Sequence, residues 1–470
     1  MTGLRFRLDA GGDTMVFSAE ASEPPALVYW GPSLAPGADL AAVAGLAQRP
    51  VPHGMLDQGE VLDLVPDAAR GFLGTPLAQL HRSGDLVLSQ FQLVSSDVHD
   101  HRASLVLSDR LAGVGLELEI EMDAQTGVAS FRNRLINQGA STLALDWLAA
   151  GCLPVEHDEL LAFEGRWANE GRPYRLRVPG AMWVSENRSG RTSHNAPPLL
   201  VAGEPGFSDQ HGAVIGFHLA WSGNHRMLVE RLRDGRLQMQ AGELFLPGEM
   251  TLATGQAYQS PTLYAARSSA GLNGLRDRFH PFVRQQILGG RLTGKPRPVH
   301  FNSWEAVYFD HDPAVLSDLI GHAAAVGAER FVLDDGWFLG RNDDRTSLGD
   351  WTPDPIKYPK GLGPLIAEVK AAGMGFGLWV EPEMANAESD LLRAHPDWVL
   401  GVADRVQPLG RGQYVLDLTR NEVRAAIFAQ LDQLLSENDI DYLKWDMNRD
   451  LTHPVSGGKA AVHRQTLAVY

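Results

Sequence analysis

The sequence predicts a multidomain protein with a β-rich first half and an α/β second half. Three observations predict this division. Up to residue 275 the two-residue period of strands is common and the helical period is scarce. After Pro298, short apolar strands alternate with amphipathic helices, which is typical of a parallel sheet. Glycines and prolines interrupt regular structure between these halves. We therefore expect domains at 1–275 and 299–470, joined by a connector at 276–298.

Composition limits the classes of partner and compartment. The chain has 470 residues, of which 44% are hydrophobic and 21% charged, as in a soluble protein with a large core. A formal net charge of −16 argues against nucleic acid and anionic membranes as partners. The single cysteine, Cys152, fits a reducing compartment. Neither a signal peptide nor a membrane-length apolar run is recognisable, so we predict a cytoplasmic protein.

The first half has the pattern of an antiparallel β-sandwich of many strands. Apolar and polar residues alternate strictly over Val114–Met122, as in a strand with one face in water. Asp234 and Gly235 separate two further strand patterns, 227–233 and 236–240, which predicts a hairpin with a two-residue turn. Turn-forming residues recur at short intervals, as expected of a sandwich. A helix is expected at 275–287, where the connector begins.

In the second half, strands are expected at 299–304, 330–335, 375–381 and 442–446. Asp312 and Pro313 predict the start of a helix, and Gly327 its end. Another helix is expected at 362–372. Thr419 and Glu422 form a potential capping box. The apolar stripe of that last helix is predicted to consist of Val423, Ile427, Leu431 and Leu435.

All four predicted strands end in polar or aromatic residues. Because functional groups at the carboxyl ends of successive parallel strands are typical of a (β/α)8 barrel, we favour that fold. An open doubly wound sheet would concentrate its site at one switch point, and no glycine-rich phosphate loop follows these strands. Paired carboxylates could instead bind Mg²⁺ or Ca²⁺, but the neighbouring tryptophans favour a sugar. The residues at the strand ends are Trp304, Glu305, Asp334, Asp335, Trp379, Glu381, Lys444 and Asp446.

Lys444 and Asp446 lie two residues apart on one predicted strand, which we expect to be buried. Alternation places their side chains on the same face, so the lysine would keep the carboxylate ionised. Such a carboxylate suits a nucleophile that attacks an electron-poor carbon. An ordinary surface ion pair at a strand end would show the same pattern. These two residues alone leave both interpretations open.

Taken together, the motifs resemble the α-galactosidases of glycoside hydrolase family 36. The resemblance covers both halves of the chain. In the first half, Ser193-His194-Asn195 and Trp221-Ser222-Gly223-Asn224-His225 are similar to the β-supersandwich domain of that family. In the second half the matching stretches are Asn302-Ser303-Trp304-Glu305, Leu333-Asp334-Asp335-Gly336-Trp337-Phe338, Leu348-Gly349-Asp350-Trp351, Leu378-Trp379-Val380-Glu381-Pro382-Glu383-Met384 and Leu443-Lys444-Trp445-Asp446-Met447-Asn448-Arg449.

The resemblance implies roles at the matching positions. Asp446 would be the catalytic nucleophile of a retaining enzyme. Asp334 and Asp335 would accept hydrogen bonds from the C4 and C6 hydroxyls of galactose. The remaining residues implied to bind the sugar are Lys444, Asn448 and Arg411 as polar partners, and Trp304 and Trp379 as apolar walls.

The resemblance also implies an acid/base aspartate on a strand later than the one that ends at Asp446. No aspartate or glutamate follows Asp450. Four strands are only half of a (β/α)8 barrel of about 250 residues. We therefore expect a truncated family member that lacks its acid/base, with open sheet edges. Loss of positioned proton transfer would reduce the rate by about 10²–10⁴-fold.

The predicted function is hydrolysis of α-galactosides of the raffinose or melibiose type, at least in the intact parent protein. No cofactor and no metal are expected, and the intact protein is expected to form a homo-oligomer. One alternative is a relative that acts on α-N-acetylgalactosaminides or transfers galactosyl groups. The other is a non-catalytic fragment that binds galactose.

Overall fold

The computed structural model describes residues 3–51, 53–54, 56–57, 59–289 and 294–469. The chain divides into two compact units between residues 293 and 294. This division falls inside the predicted connector 276–298, of which residues 290–293 lie outside the described residues. Each unit is described by itself below.

The first unit is built mostly of strands. Its helical segments are α1 (Leu40–Ala47), a 3-10 turn (Ala68–Arg70) and α2 (Gly271–Phe282), which continues into a π-helical turn (Val283–Ile287). Its strands are β1 (Arg5–Ala10), β2 (Asp13–Ser18), β3 (Ala26–Pro32), β4 (Ala78–Arg82), β5 (Asp85–Leu86), β6 (Gln92–His99), β7 (Arg102–Asp109), β8 (Val114–Met122), β9 (Ala129–Asn137), β10 (Leu143–Leu148), β11 (Gly151–Val155), β12 (Glu159–Arg166), β13 (Asn169–Arg177), β14 (Met182–Asn187), β15 (Leu199–Gly203), β16 (Val214–Ala220), β17 (His225–Arg231), β18 (Leu237–Glu243), β19 (Thr251–Leu252), β20 (Ala257–Gln259) and β21 (Thr262–Ser268).

These strands form antiparallel sheets. The largest runs in the order β13-β12-β15-β16-β21-β9-β8-β7-β6, with β20 also paired to β9. Smaller sheets have the orders β11-β18-β17-β14, β19-β10-β4-β5 and β1-β2-β3. One cluster of buried apolar side chains includes residues from all four sheets, among them Leu8, Leu80, Leu118 and Met239. The sheets therefore share one hydrophobic core, as layers of a sandwich do.

Two local predictions for this unit can be compared with the structure. Strand β8 covers Val114–Met122 as predicted, and its residues from Leu116 onwards alternate between buried and more exposed. The hairpin of β17 and β18 is present, but its turn is wider than predicted. Leu232 N donates to Arg236 O at 2.8 Å, so three residues close the turn instead of two. Asp234 Oδ1 accepts the Arg236 N–H at 3.0 Å and stabilises this wider turn.

The helix predicted at 275–287 begins four residues earlier, at Gly271. Its residues Leu275 and Phe282 are buried in a cluster with Val128 and Val214 of the first unit. The helix at the start of the predicted connector therefore belongs to the core of the first unit, because its apolar side chains are buried there.

The second unit alternates strands and helices. Its strands are β22 (His300–Asn302), β23 (Arg330–Leu333), β24 (Gly375–Val380), β25 (Met384–Asn386), β26 (Gln413–Val415), β27 (Tyr442–Trp445), β28 (Val455–Ser456) and β29 (Lys459–Ala460). Its helices are α3 (Trp304–Val307), α4 (Pro313–Ala325), α5 (Gly363–Ala371), α6 (Asp390–Ala394), α7 (Asn421–Glu437) and α8 (Val462–Val469).

A four-stranded parallel sheet organises the second unit, in the order β22-β23-β24-β27. The alternation of strands and helices predicted this parallel arrangement. Strand β27 was predicted to be buried, and that prediction was wrong. It pairs only with β24 in the described structure, and Tyr442 and Trp445 are 36% and 46% exposed. An edge strand is covered on one side only, so its side chains stay partly in water.

The helix signals gave mixed results. Asp312 caps α4 as predicted, because its Oδ1 accepts the Ala314 N–H at 2.7 Å. The capping box predicted for α7 was wrong. The Thr419 hydroxyl donates to Asp417 Oδ1 at 2.5 Å, and Glu422 accepts from the Arg420 side chain. Neither residue caps the helix, since both side chains have nearer partners.

The apolar stripe of α7 differs from the prediction at one position. Val423, Ile427 and Leu431 are buried as expected, but the fourth buried residue is Leu434. Leu435 is 41% exposed. With 3.6 residues per turn, Leu434 and Leu435 both lie near the face that carries Leu431. The sequence pattern therefore did not distinguish the buried leucine from its exposed neighbour.

Candidate active site

Asp446 follows the end of β27 and is held by three uncharged donors. Its Oδ2 accepts hydrogen bonds from Trp379 Nε1 at 3.0 Å and from Asn448 Nδ2 at 2.8 Å. Its Oδ1 accepts the Met447 N–H at 2.9 Å. The Asp446 N–H donates to Val380 O at 2.8 Å, which continues the parallel pairing with β24. The carboxylate therefore has a fixed orientation without a formal counter-charge in hydrogen-bond contact.

Lys444 pairs with a different carboxylate from the one predicted. Its Nζ lies 2.7 Å from Asp334 Oδ2, and no such contact joins it to Asp446 within the described structure. The same oxygen of Asp334 accepts from Asn302 Nδ2 at 2.7 Å. The Asp334 side chain is 3% exposed and that of Lys444 is 36% exposed. Asp334 is thus a buried acceptor, and its cationic partner Lys444 is partly exposed.

Asp335 is fixed by a fully buried arginine. Arg341 Nε and Nη2 lie 2.9 and 2.8 Å from the two carboxylate oxygens of Asp335, which is a bidentate pair. The remaining nitrogen of Arg341 donates to Thr346 O at 2.7 Å and Asn386 Oδ1 at 3.0 Å. Burial raises the pKa of Asp335, and the hydrogen bonds and charge of Arg341 oppose that rise.

One ammonium group fastens the loop that carries Asp335. Lys357 Nζ donates to Phe309 O at 3.0 Å, Gly336 O at 2.8 Å and Arg341 O at 2.7 Å. Gly336 has φ +114°, and a Cβ there would lie 2.9 Å from the His311 ring. Glycine is therefore required at this turn, and the three hydrogen bonds of the lysine hold it closed.

Glu381 accepts a hydrogen bond from the backbone of Asn448. It is fully buried, and its Oε1 accepts the Asn448 N–H at 2.6 Å. Its Oε2 accepts from Gln413 Nε2 at 2.9 Å. Burial, followed by the negative charge of Asp446, raises the pKa of Glu381 to about 7, although hydrogen bonds from Asn448 and the charge of Arg411 lower it. Glu381 is therefore an acid that titrates near neutral pH beside Asp446.

The two tryptophans predicted as sugar walls differ in their surroundings. Trp379 is 2% exposed and packs among Trp351, Phe338 and other aromatic rings. Its contact with the site is the indole N–H bond to Asp446, and almost none of its ring surface is open. Trp304 is half-buried, and its N–H donates to Asn302 Oδ1 at 2.9 Å. Of these two residues, only Trp304 offers open ring surface.

Arg411 lies in the turn before β26 with a left-handed backbone, φ +52°. Its Nε is 3.6 Å from Asp344 Oδ2, and its side chain is 34% exposed. The charge of Arg411 acts on both Asp335 and Glu381, which places it near the two carboxylates. Contacts or charge effects thus connect all eight predicted site residues, of which Arg411 alone lies in a turn before a strand.

Sequence reasoning missed several residues that support the site. Arg341 and Lys357 lie in loops and Gln413 begins the short strand β26, so none of the three carries a periodic signal. Glu381 belongs to a quoted motif but was given no role. Its position directly after a strand was the one signal that could have identified it. Among the described residues, no group of three or more metal-ligating side chains is assembled. No helix in the described part of the chain is long and apolar enough to span a membrane.

Comparison with known families matches both halves of the chain. Residues 23–253 match the glycosyl hydrolase family 36 N-terminal domain. Residues 257–470 match the Melibiase family. Together these matches cover both structural units almost completely.

Similar proteins of known name agree with these matches. An alpha-galactosidase of Escherichia coli is 43% identical over 449 residues, which is 94% of this chain and 62% of that protein. Alpha-galactosidase AgaA of Geobacillus stearothermophilus is 34% identical over 376 residues, covering 78% of this chain and 51% of that protein. The chain therefore spans about half to three-fifths of the length of these two relatives.

Solved structures give the same result at the level of fold. A crystal structure of an AgaA variant from Geobacillus stearothermophilus in complex with stachyose matches with a TM-score of 0.91 and 28% identity. It covers 99% of this chain and 70% of that one. A related variant in complex with raffinose also has a TM-score of 0.91. Fold and sequence thus place the chain among families of glycoside hydrolases. The chain belongs to glycoside hydrolase family 36.

Proposed function

We propose that this chain carries the nucleophile and the galactose-binding residues of a retaining α-galactosidase. The observation that carries the proposal is the set of three donors around Asp446, next to two further carboxylates fixed by Lys444 and Arg341. The complexes of related AgaA variants with stachyose and raffinose support α-galactosyl oligosaccharides as the substrate class. No cofactor takes part in this reaction.

In the first step, Asp446 attacks the anomeric carbon of galactose. A bond forms between a carboxylate oxygen and that carbon, and the bond to the leaving-group oxygen breaks. A second carboxyl group, about 5–5.5 Å from the first, gives its proton to the leaving oxygen and later activates the water that hydrolyses the ester. The family resemblance implies that this second carboxyl group, the acid/base, lies on a later strand than β27.

Sugar selectivity follows from the fixed acceptors. Asp334 and Asp335 accept hydrogen bonds from the C4 and C6 hydroxyls, and galactose differs from glucose in the orientation of its C4 hydroxyl. Arg341 leaves the Asp335 carboxylate no freedom to rotate, because both of its oxygens are bound. Lys444, Asn448 and Arg411 contact other hydroxyls, and the open ring surface of Trp304 packs against the sugar.

Strands β22, β23, β24 and β27 are, in this proposal, the first four strands of a (β/α)8 barrel. Their strict parallel order supports this interpretation. The polar residues at their carboxyl ends are placed as in barrels of this type. Strands β22 and β27 would then be the two edges of the half barrel.

A covalent label tests the nucleophile in the 470-residue chain itself. An activated fluoro-galactosyl fluoride needs no proton donor, because fluoride leaves without protonation. We expect the mass of the protein to increase by one fluoro-galactosyl group, and the label to lie on Asp446. D446N is the matched control and should remain unlabelled. Labelling of another side chain, or equal labelling by the gluco-configured reagent, would contradict the proposal.

A further inference from the structure

We propose that Glu381 is a positioning residue, which holds the Asp446 carboxylate in place through the main chain and side chain of Asn448. This inference rests on the proposed function, in which Asp446 is the nucleophile. It adds a residue whose hydrogen bonds, rather than its charge, determine the reactivity of that nucleophile.

A continuous set of hydrogen bonds connects the two carboxyl groups. Glu381 Oε1 accepts the Asn448 N–H at 2.6 Å, and Asn448 Nδ2 donates to Asp446 Oδ2 at 2.8 Å. Glu381 therefore fixes the backbone from which the Asn448 amide reaches the nucleophile. Because Asn448 lies after the end of β27, no strand pairing holds it within the described structure. The glutamate supplies the missing constraint.

The surroundings of Glu381 are rigid. Gln413 is fully buried, donates from Nε2 to Glu381 Oε2 at 2.9 Å and lies on β26, which pairs with β25. Its backbone oxygen accepts a hydrogen bond from the guanidinium of Arg449. The backbone of an exposed asparagine is thus tied to a buried glutamate, which is in turn tied to a paired strand. Displacement of Asn448 requires rupture of a partly buried hydrogen bond.

The pair of Glu381 and Gln413 also accommodates both protonation states. Gln413 Oε1 is buried and has no hydrogen-bond partner among the described residues. A half-turn of the amide presents this oxygen to Glu381, so a protonated carboxyl can donate to it. In both states the other oxygen of Glu381 still accepts the Asn448 N–H. The charged groups that act on this carboxyl are Asp446 and Arg411.

These contacts separate a positioning role from an electrostatic one. E381Q keeps an acceptor for Asn448 and can donate to the turned amide of Gln413. E381L removes the acceptor and leaves the Asn448 N–H without this hydrogen bond. If Glu381 acts through hydrogen bonds, only the leucine variant should harm the nucleophile.

The experiment measures the labelling of Asp446 by the activated fluoro-galactosyl fluoride in the full chain. We expect E381Q to retain the maximal labelling rate within about threefold. E381L should lose about 10²-fold in that rate, with less than about threefold change in half-saturating concentration, since displacement of a reacting group mainly affects the chemical step. E388L, which alters an exposed glutamate, controls for non-specific effects. If E381Q is as slow as E381L, the inference is wrong.

A double variant tests the route through Asn448. N448A should slow labelling as E381L does, and E381L/N448A should be no slower than the slower single variant. Losses that multiply would show that Glu381 acts on Asp446 by another route. That result would overturn the inference without affecting the proposed function.

A second measurement does not depend on reaction with sugar. The indole N–H of Trp379 donates to Asp446 Oδ2, so its NMR resonance reports the position of that carboxylate. We expect this resonance to shift in E381L and N448A and to stay near its wild-type position in E381Q. An unchanged resonance in E381L would refute the positioning role. A shifted resonance in a chain that takes no label would refute the proposed function instead.

Discussion

Lys444 donates to Asp334, which is 110 positions away in the sequence, and not to Asp446, which is two residues away. The distance from Nζ to Oδ2 is 2.7 Å. In the described structure, Lys444 is the only side-chain cation at hydrogen-bond distance from either acid. Its partner is Asp334, which is proposed to bind sugar hydroxyls. The proposed nucleophile is held by uncharged donors.

Replacement of Lys444 should therefore weaken sugar binding more than it changes the nucleophile. We expect K444M to reduce the affinity for 1-deoxygalactonojirimycin by about 10-fold to 10²-fold, because Asp334 would lose a charged hydrogen bond of about 1.5–3 kcal/mol. Calorimetry measures the affinity. K360M, at an exposed lysine, is the control. Unchanged affinity in K444M would show that Asp334 does not depend on the lysine.

Arg341 should be essential for the stability of the second unit. The R341M variant leaves Asp335 buried without its bidentate partner, which costs about 3–5 kcal/mol. R341K keeps the charge but not the fork, so we expect an intermediate loss. Urea denaturation measures both. R345M, at an arginine whose side chain is 81% exposed, should change the free energy of unfolding by less than about 0.5 kcal/mol.

A second buried arginine tests the first unit independently. Arg70 donates to Asp63 at 2.5 Å and to Asp67 at 3.0 Å, and all three side chains are buried. Burial raises the pKa of Asp63 to about 6 despite the arginine. We expect R70M to destabilise the unit by about 3–5 kcal/mol in thermal unfolding.

The double variant D63N/R70M is the informative companion to R70M. It removes one of the two buried negative charges together with their shared partner, so it should be less destabilised than R70M alone. R110M, at an exposed arginine, serves as the control. Equal losses in R70M and the double variant would show that the unpaired charge of Asp63 is not the cause.

The raised pKa of Glu381 predicts a pH-dependent stability. An acid whose folded pKa is about 7, against an ordinary value of 4.5, binds its proton more tightly in the folded state. Its contribution to stability is full below about pH 4.5 and is lost as the pH rises through about 7. E381Q lacks this loss. Its stability relative to wild type should therefore rise between pH 4.5 and 7, by up to about 3 kcal/mol.

Calorimetric unfolding of both proteins at pH 5 and pH 8 measures this difference. Other titrating groups are common to the two proteins, so they cancel in the comparison. A difference in Tm that is the same at both pH values would show that Glu381 does not titrate in this range. E388Q, at an exposed glutamate, should show no pH-dependent difference from wild type.

The sequence predicted elements whose signals are local. The alternation in Val114–Met122 and the cap at Asp312 both appear in the structure, because each depends on neighbours within a few residues. The potential capping box at Thr419 failed because Asp417 competes for the same hydroxyl. Strand β27 was expected to be buried, but the sequence of a strand does not reveal whether a second neighbour pairs with it.

The sequence predicted which residues belong to the candidate site, but it did not predict which of them contact one another. Motif residues such as Asp334 and Asp446 could be named, because strand ends and family motifs single them out. The partner of Lys444 could not, since alternation gives the face of a side chain and not the acid opposite it. Arg341 was missed altogether, because a buried ion pair formed by a loop has no periodic signature.

The three carbonyl bonds of Lys357 have a thermodynamic consequence for ligand capture. Fixing one residue of a mobile loop costs about 1–2 kcal/mol in entropy. The turn that presents Asp335 is already closed by a single ammonium group, so an arriving sugar does not bear this cost. Acetylation of that amine would remove its charge and two of its three protons, and recognition would then begin with the ordering of a loose turn.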